Sequence, residues 1–178
     1  MTKKNDFIWK TIQVIAWIIF IAYCIETGTL LFNYIFSLFK PIASKNLYLG
    51  LDLSDLYNKS LVLYTLLFSF IIILSVLKAF VFYIVIKTCM KLNMIKPFSE
   101  EVAGFISKIS YYAFTIAAVG YIAHQFTKRL IHKGYDAAAA ERFWNDSFAY
   151  VMMAAIVFVI AMIFKKGIEL QKEQDLTI

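Results

Sequence analysis

The chain has 178 residues, of which 61% are hydrophobic and 17% charged, with a mean hydropathy of +0.71 and a formal net charge of +6. Soluble globular domains are only about half apolar, so this composition argues against a water-exposed globule and leaves room for one compact bundle. Nor does the positive balance point to nucleic acid, because the lysines and arginines flank apolar runs, where they meet lipid headgroups.

Four apolar runs follow one another, at residues 7–39, 61–86, 102–126 and 148–164. Each supplies roughly the 18 largely uncharged residues that a helix needs to cross hydrocarbon about 30 Å thick. Unpaired backbone amides are costly in lipid, and the runs are too continuous for the alternation of a barrel strand. The expected fold is therefore all-α, a polytopic bundle of four transmembrane helices, surrounded by the lipid bilayer. No segment between the runs is long enough for a separate soluble domain.

The basic start, with Lys3, Lys4 and Lys10, resembles the opening of a signal peptide. The apolar region behind it is too long, and no Ala-x-Ala-like site follows, so a retained first span is expected. Further lysines, Lys87, Lys91 and Lys96 after the second run and Lys165, Lys166 and Lys172 after the fourth, put both termini in the cytoplasm by the positive-inside rule.

Glu26 and Lys78 are the charged side chains well within the first two runs, and such groups are functional candidates. Counted from opposite entry points, Glu26 lies roughly 27 Å along its helix and Lys78 about 25 Å along the next, at 1.5 Å per residue. If both helices start at a lipid boundary, about 20 Å of depth separates the two and they do not pair. Lys78 is then expected to snorkel to cytoplasmic headgroups, and Glu26 to meet His124, Lys128 or Arg129 at the outer surface. On that placement Glu26→Gln costs more stability than Lys78→Gln.

Between the first two runs, Asn46 to Leu53 alternate in a way that suits a strand or a surface segment. The internal connection carries Pro97-Phe98-Ser99-Glu100-Glu101: Ser99 is placed to cap the third helix, with two carboxylates in its first turn. In the third run Ser110, Ala113, Ala117 and Gly120 share one helix face, which suits close packing within the chain, with a homo-oligomer seam as the alternative. The next connection contains Asp136-Ala-Ala-Ala-Ala-Glu141-Arg142, whose helix formers extend or join helices.

Catalytic signatures are missing from the sequence. His124 and His132 are the two histidines and lack metal-ligand spacing; Cys24 and Cys89 are read as free thiols. There is no Gly-rich phosphate loop and no nucleophile elbow. Glu100-Glu101 resembles the paired glutamates of intramembrane CAAX-type proteases, but Phe105 stands where their motif has arginine. No enzyme activity, cofactor or metal is expected.

The tail, residues 165–178, leaves the membrane through a basic pair. Ile168, Leu170, Leu176 and Ile178 supply apolar side chains that suit a partner or the end of the bundle. Its run Phe164-Lys165-Lys166-Gly167-Ile168-Glu169-Leu170-Gln171, with the ending Asp175-Leu176-Thr177-Ile178, closely resembles the terminus of the bacterial membrane family called domain of unknown function 2975, which includes YoaS-like proteins. The Pro97 to Glu101 motif is similar to that family's middle motif. The resemblance implies four spans in a bacterial cytoplasmic membrane. It also implies a neighbouring small helix-turn-helix regulator as a cytoplasmic partner, and hence a non-catalytic regulatory or interaction role. A small transporter, channel or lipid-interacting protein is the alternative, and an immunity protein against a membrane-active toxin is another.

Overall fold

The computed structural model describes residues 3–92 and 98–175, with side chains for 9–92 and 98–174. Long apolar runs become long helices: α1 (Lys3–Phe39), α3 (Leu61–Lys91), α4 (Glu100–His132) and α5 (Ser147–Asp175). A single-turn helix, α2 (Ser54–Lys59), precedes α3. Four helices are long and apolar enough to cross a membrane, and the chain is a multi-pass membrane protein.

The long helices pack in chain order, α1 on α3, α3 on α4, and α4 on α5. Cross-helix bonds set an antiparallel register between α1 and α3: Gln13 Nε2 donates to the Cys89 carbonyl, Thr27 and Ser75 share a 2.8 Å bond, and Ser37 and Tyr64 share one of 2.6 Å. The start of α1 and the end of α5 therefore lie together at one end of the bundle, the tail end. Central helices α3 and α4 are the more buried, whereas α1 and α5 show large apolar side chains such as Ile18, Ile25, Phe158 and Ile163 outward. Such exposure is stable only against lipid.

Helix ends follow local chemistry. The Ser99 hydroxyl accepts from the Val102 amide at 3.3 Å, as the cap chemistry predicts, and Ser60 plays the same part for α3. Glu100 and Glu101 fill the first turn of α4, where each meets a lysine from another helix, Lys172 at 2.6 Å and Lys91 at 3.2 Å. Pro97 lies outside the described residues.

The connection after α1 is a folded cap rather than a strand. Two 3-10 turns, Pro41–Lys45 and Tyr48–Gly50, and a single bridge between Leu47 and Leu51 bring Leu47, Leu51 and Leu53 into the core. Burial of these leucines, not pairing with a second strand, is what the alternating pattern encodes. Leu49 has φ 55°, a left-handed conformation that a leucine adopts only against strain. Arg142 compensates by donating to the carbonyls of Leu49 and Tyr48 at 2.8 and 3.0 Å. Asp55 ties the same two connections together, accepting from Lys59 and from the Asp136 amide, and these bonds hold its carboxyl below the usual range.

The connection after α4 departs most from expectation. Its alanine-rich stretch forms a 3-10 helix, Ala138–Phe143, that turns back along the bundle instead of extending α4. Trp144 is buried, and Ser147 at the start of α5 packs against Gly120. Since α4 continues to His132, α5 begins roughly 18 Å below that end, at 1.5 Å per residue. A β-carbon on Gly120 would overlap Ser147 Oγ and lie 3.1 Å from Ser147 Cβ, so glycine is required for this approach. The small-residue face does the rest: Ala113 and Ala117 are buried and Ser110 donates to the Ala154 carbonyl at 2.9 Å. In this chain the stripe serves packing between α4 and α5.

Candidate functional site

The low start of α5 brings a third charge into the bundle. Asp146 immediately precedes α5, and its Oδ2 lies 2.7 Å from Lys78 Nζ on α3. The Lys78 side chain is only 12% exposed, and its ammonium also sits over the Tyr150 ring, 5.5 Å from the centroid. Glu26 on α1 is partly buried and within electrostatic reach of both Lys78 and Asp146. Tyr150 in turn interacts with Tyr23, Asp146 and Glu26. Two helices and the turn before α5 thus supply one cation and two carboxylates to a single cluster, bordered by two tyrosines and by the Thr27–Ser75 bond one residue from Glu26.

The expected 20 Å separation of Glu26 and Lys78 is therefore corrected. Thr27 bonds Ser75, and Lys78 is one helical turn from Ser75, so the two charges are at similar depth. The sequence reading placed a lipid boundary at the start of each run. With 37 residues in α1 and 31 in α3, both helices outrun the hydrocarbon, so the start of a run does not mark a lipid boundary. Lys78 does not snorkel to the tail end; a carboxylate at close range is the better partner for a desolvated ammonium.

His124 is placed elsewhere. It projects from α4 toward the 3-10 helix, with Nδ1 3.9 Å from Glu141 Oε1, too far for a hydrogen bond. Both His124 Nδ1 and the Trp144 indole nitrogen are buried without a hydrogen-bond partner. The two residues line a cleft of about 310 Å³ between α4 and α5, with Tyr121, Asn145 and Ser147 on its wall. Among the described residues no three His, Cys, Asp or Glu side chains gather to hold a metal.

The tail is a continuation of α5. Gly167 lies under the Phe98 ring, which stacks edge-on against Phe164 at 5.3 Å, and Ile168 is partly buried. Leu170 is 50% exposed. Lys172 binds Glu100, and Lys166 binds Glu169 at 2.8 Å. Leu176 and Ile178 lie outside the described residues.

Asp146 is the residue that sequence reasoning missed. It sits at the edge of the fourth apolar run, and only its proximity to Lys78 in the fold distinguishes it from a loop aspartate.

An all-α bundle of four membrane-crossing helices, with an internal charge cluster and no metal-binding group among its described residues, defines a polytopic membrane protein of the small helical-bundle class. A family described as "Protein of unknown function (DUF2975)" matches residues 48–178, and the chain belongs to it. No curated protein and no solved structure matches the chain.

Proposed function

We propose that the protein is a non-catalytic interaction protein of the bacterial cytoplasmic membrane, with both termini in the cytoplasm, that engages a small cytoplasmic partner through the end of α5. The observation that carries this reading is the unbroken helix to Asp175, which is held to α4 by the Lys172–Glu100 pair and leaves Leu170 exposed. A segment already helical loses less conformational entropy on binding than a disordered tail. One face, with Gly167 and Ile168, packs on the bundle, and the other is open to a partner. A small helix-turn-helix regulator is the partner that the family resemblance implies; Ile168, Leu170, Leu176 and Ile178 supply its apolar contacts, and the membrane protein itself contacts no nucleic acid.

The test is co-purification of the full-length protein with the helix-turn-helix regulator encoded beside its gene. The regulator is expected to be retained by the wild type and lost from Leu170→Glu and from a chain lacking residues 167–178. Equal retention by all three proteins would overturn the reading.

A second reading, proton-coupled transport, draws on the Glu26–Lys78–Asp146 cluster. Two carboxylates facing one ammonium leave a formal charge of −1, which a proton neutralises. In proteoliposomes with a trapped pH-sensitive dye, transport predicts proton movement that Glu26→Gln abolishes; no flux above that of empty vesicles removes this reading.

A further inference from the structure

Two grooves run side by side along the outside of α4 toward the tail end. One, of about 480 Å³, lies between α3 and α4 and is walled by Phe80, Tyr83, Tyr111 and Tyr112. The other, of about 590 Å³, lies between α4 and α5 and is walled by Tyr111, Phe114, Ala154 and Phe158. Ser107 and Tyr111 border both, so a single ridge of α4 separates them. Tyr111 and Phe114 are 69% and 61% exposed, which in a membrane means contact with acyl chains.

Charge is distributed unevenly around these grooves. Lys87 and Lys108 line the first, and Lys165 lines the second. Among the described residues none of the three meets a carboxylate within 4.0 Å; Lys87 lies over the Tyr83 ring at 4.8 Å and Lys108 over Phe105 at 5.8 Å. Of the carboxylates at this end, Glu100 is engaged by Lys172, Glu101 by Lys91 and Glu169 by Lys166. Three cations therefore lie toward the tail end of two apolar furrows.

We propose that this face binds one anionic phospholipid, its two acyl chains lying in the two grooves astride the Ser107–Tyr111 ridge and its phosphate held by Lys87 and Lys108. The occupant has to be anionic, because a zwitterionic lipid brings its own cation to a site that already has three. It has to be double-chained, because the grooves are adjacent and share one rim. A soluble phosphate satisfies the lysines and leaves the furrows uncovered. The Ser107 hydroxyl already donates to the Ala103 carbonyl at 2.9 Å and keeps lone pairs rather than donors free, so specificity rests on the lysines.

The test uses the full-length protein, purified in mild detergent and mixed with equimolar phosphatidylglycerol and phosphatidylcholine, with bound lipids counted by native mass spectrometry. Wild type is expected to retain one phosphatidylglycerol in marked preference to phosphatidylcholine. Lys87→Gln/Lys108→Gln is expected to lose that preference at least tenfold, whereas Lys40→Gln/Lys128→Gln, altered outside both grooves, keeps it. Circular dichroism and a monodisperse elution profile check that each variant is folded. Tyr111→Ala, which flattens the ridge and leaves all charges, is expected to weaken retention as well. Equal retention of the two lipids by wild type, or equal preference in wild type and Lys87→Gln/Lys108→Gln, overturns the proposal.

Discussion

Replacing Lys78 by methionine is expected to destabilise the detergent-solubilised protein by about 2–3 kcal/mol, the largest effect of any single change in the charge cluster. Methionine fills nearly the same volume but leaves Asp146 and Glu26 facing each other without a cation. Removing one partner of a fully buried pair costs about 3–5 kcal/mol; the figure is lowered here because Asp146 is 45% exposed and partly solvated. Glu26→Gln is expected to cost less, since it removes one of two carboxylates and leaves the 2.7 Å pair intact. This reverses the order anticipated from the sequence. Thermal melts of the two variants decide it, with Lys78→Met/Glu26→Gln/Asp146→Asn as the control: removing all three charges is expected to recover most of the loss. A Lys78→Met protein that melts with wild type would show that the cluster has no structural weight.

Gly120→Val is expected to be the most disruptive single substitution in the packing between α4 and α5, at about 2–3 kcal/mol, near the upper end for overpacking. The added carbon enters the space of Ser147, whose hydroxyl donates to the Trp144 carbonyl at 2.6 Å and cannot swing aside without breaking that bond. Moving Ser147 moves the start of α5, and with it Asp146. The second consequence separates this change from a generic packing defect: Gly120→Val combined with Lys78→Met is expected to cost less than the sum of the two, because both weaken the same junction. Additive losses in a double-mutant cycle would mean that the α4–α5 contact and the charge cluster are independent. Gly104 has nothing within 4 Å of an added β-carbon, so Gly104→Val provides the matched control.

Much of the architecture was legible from composition because lipid imposes one dominant requirement, a continuous apolar run for each crossing. The four runs matched the four long helices, Ser99 matched its cap, and the stripe from Ser110 to Gly120 matched the packing face between α4 and α5. Depth was harder. A run records where lipid is tolerated, not where it begins, so Glu26 and Lys78 were set at opposite interfaces although hydrogen bonds between α1 and α3 hold them at one level. The return of the chain after His132 was hidden for another reason. It depends on a tertiary fit of Trp144 and Ser147 against Gly120, and on Arg142 reaching the first connection; none of these leaves a periodic signature. Consequently Asp146, the partner of Lys78, read as an ordinary loop residue.

The late start of α5 also gives the protein two unequal hydrophobic heights. Along α1 the uncharged surface between residues 12 and 39, interrupted only by Glu26, extends roughly 40 Å, whereas residues 148–164 of α5 extend roughly 25 Å. A bilayer meeting both flanks is stretched on one and pinched on the other, and each ångström of mismatch costs a fraction of a kcal/mol. Copies that turned their short flanks toward one another would share a single pinched zone and so lower the mismatch cost per copy.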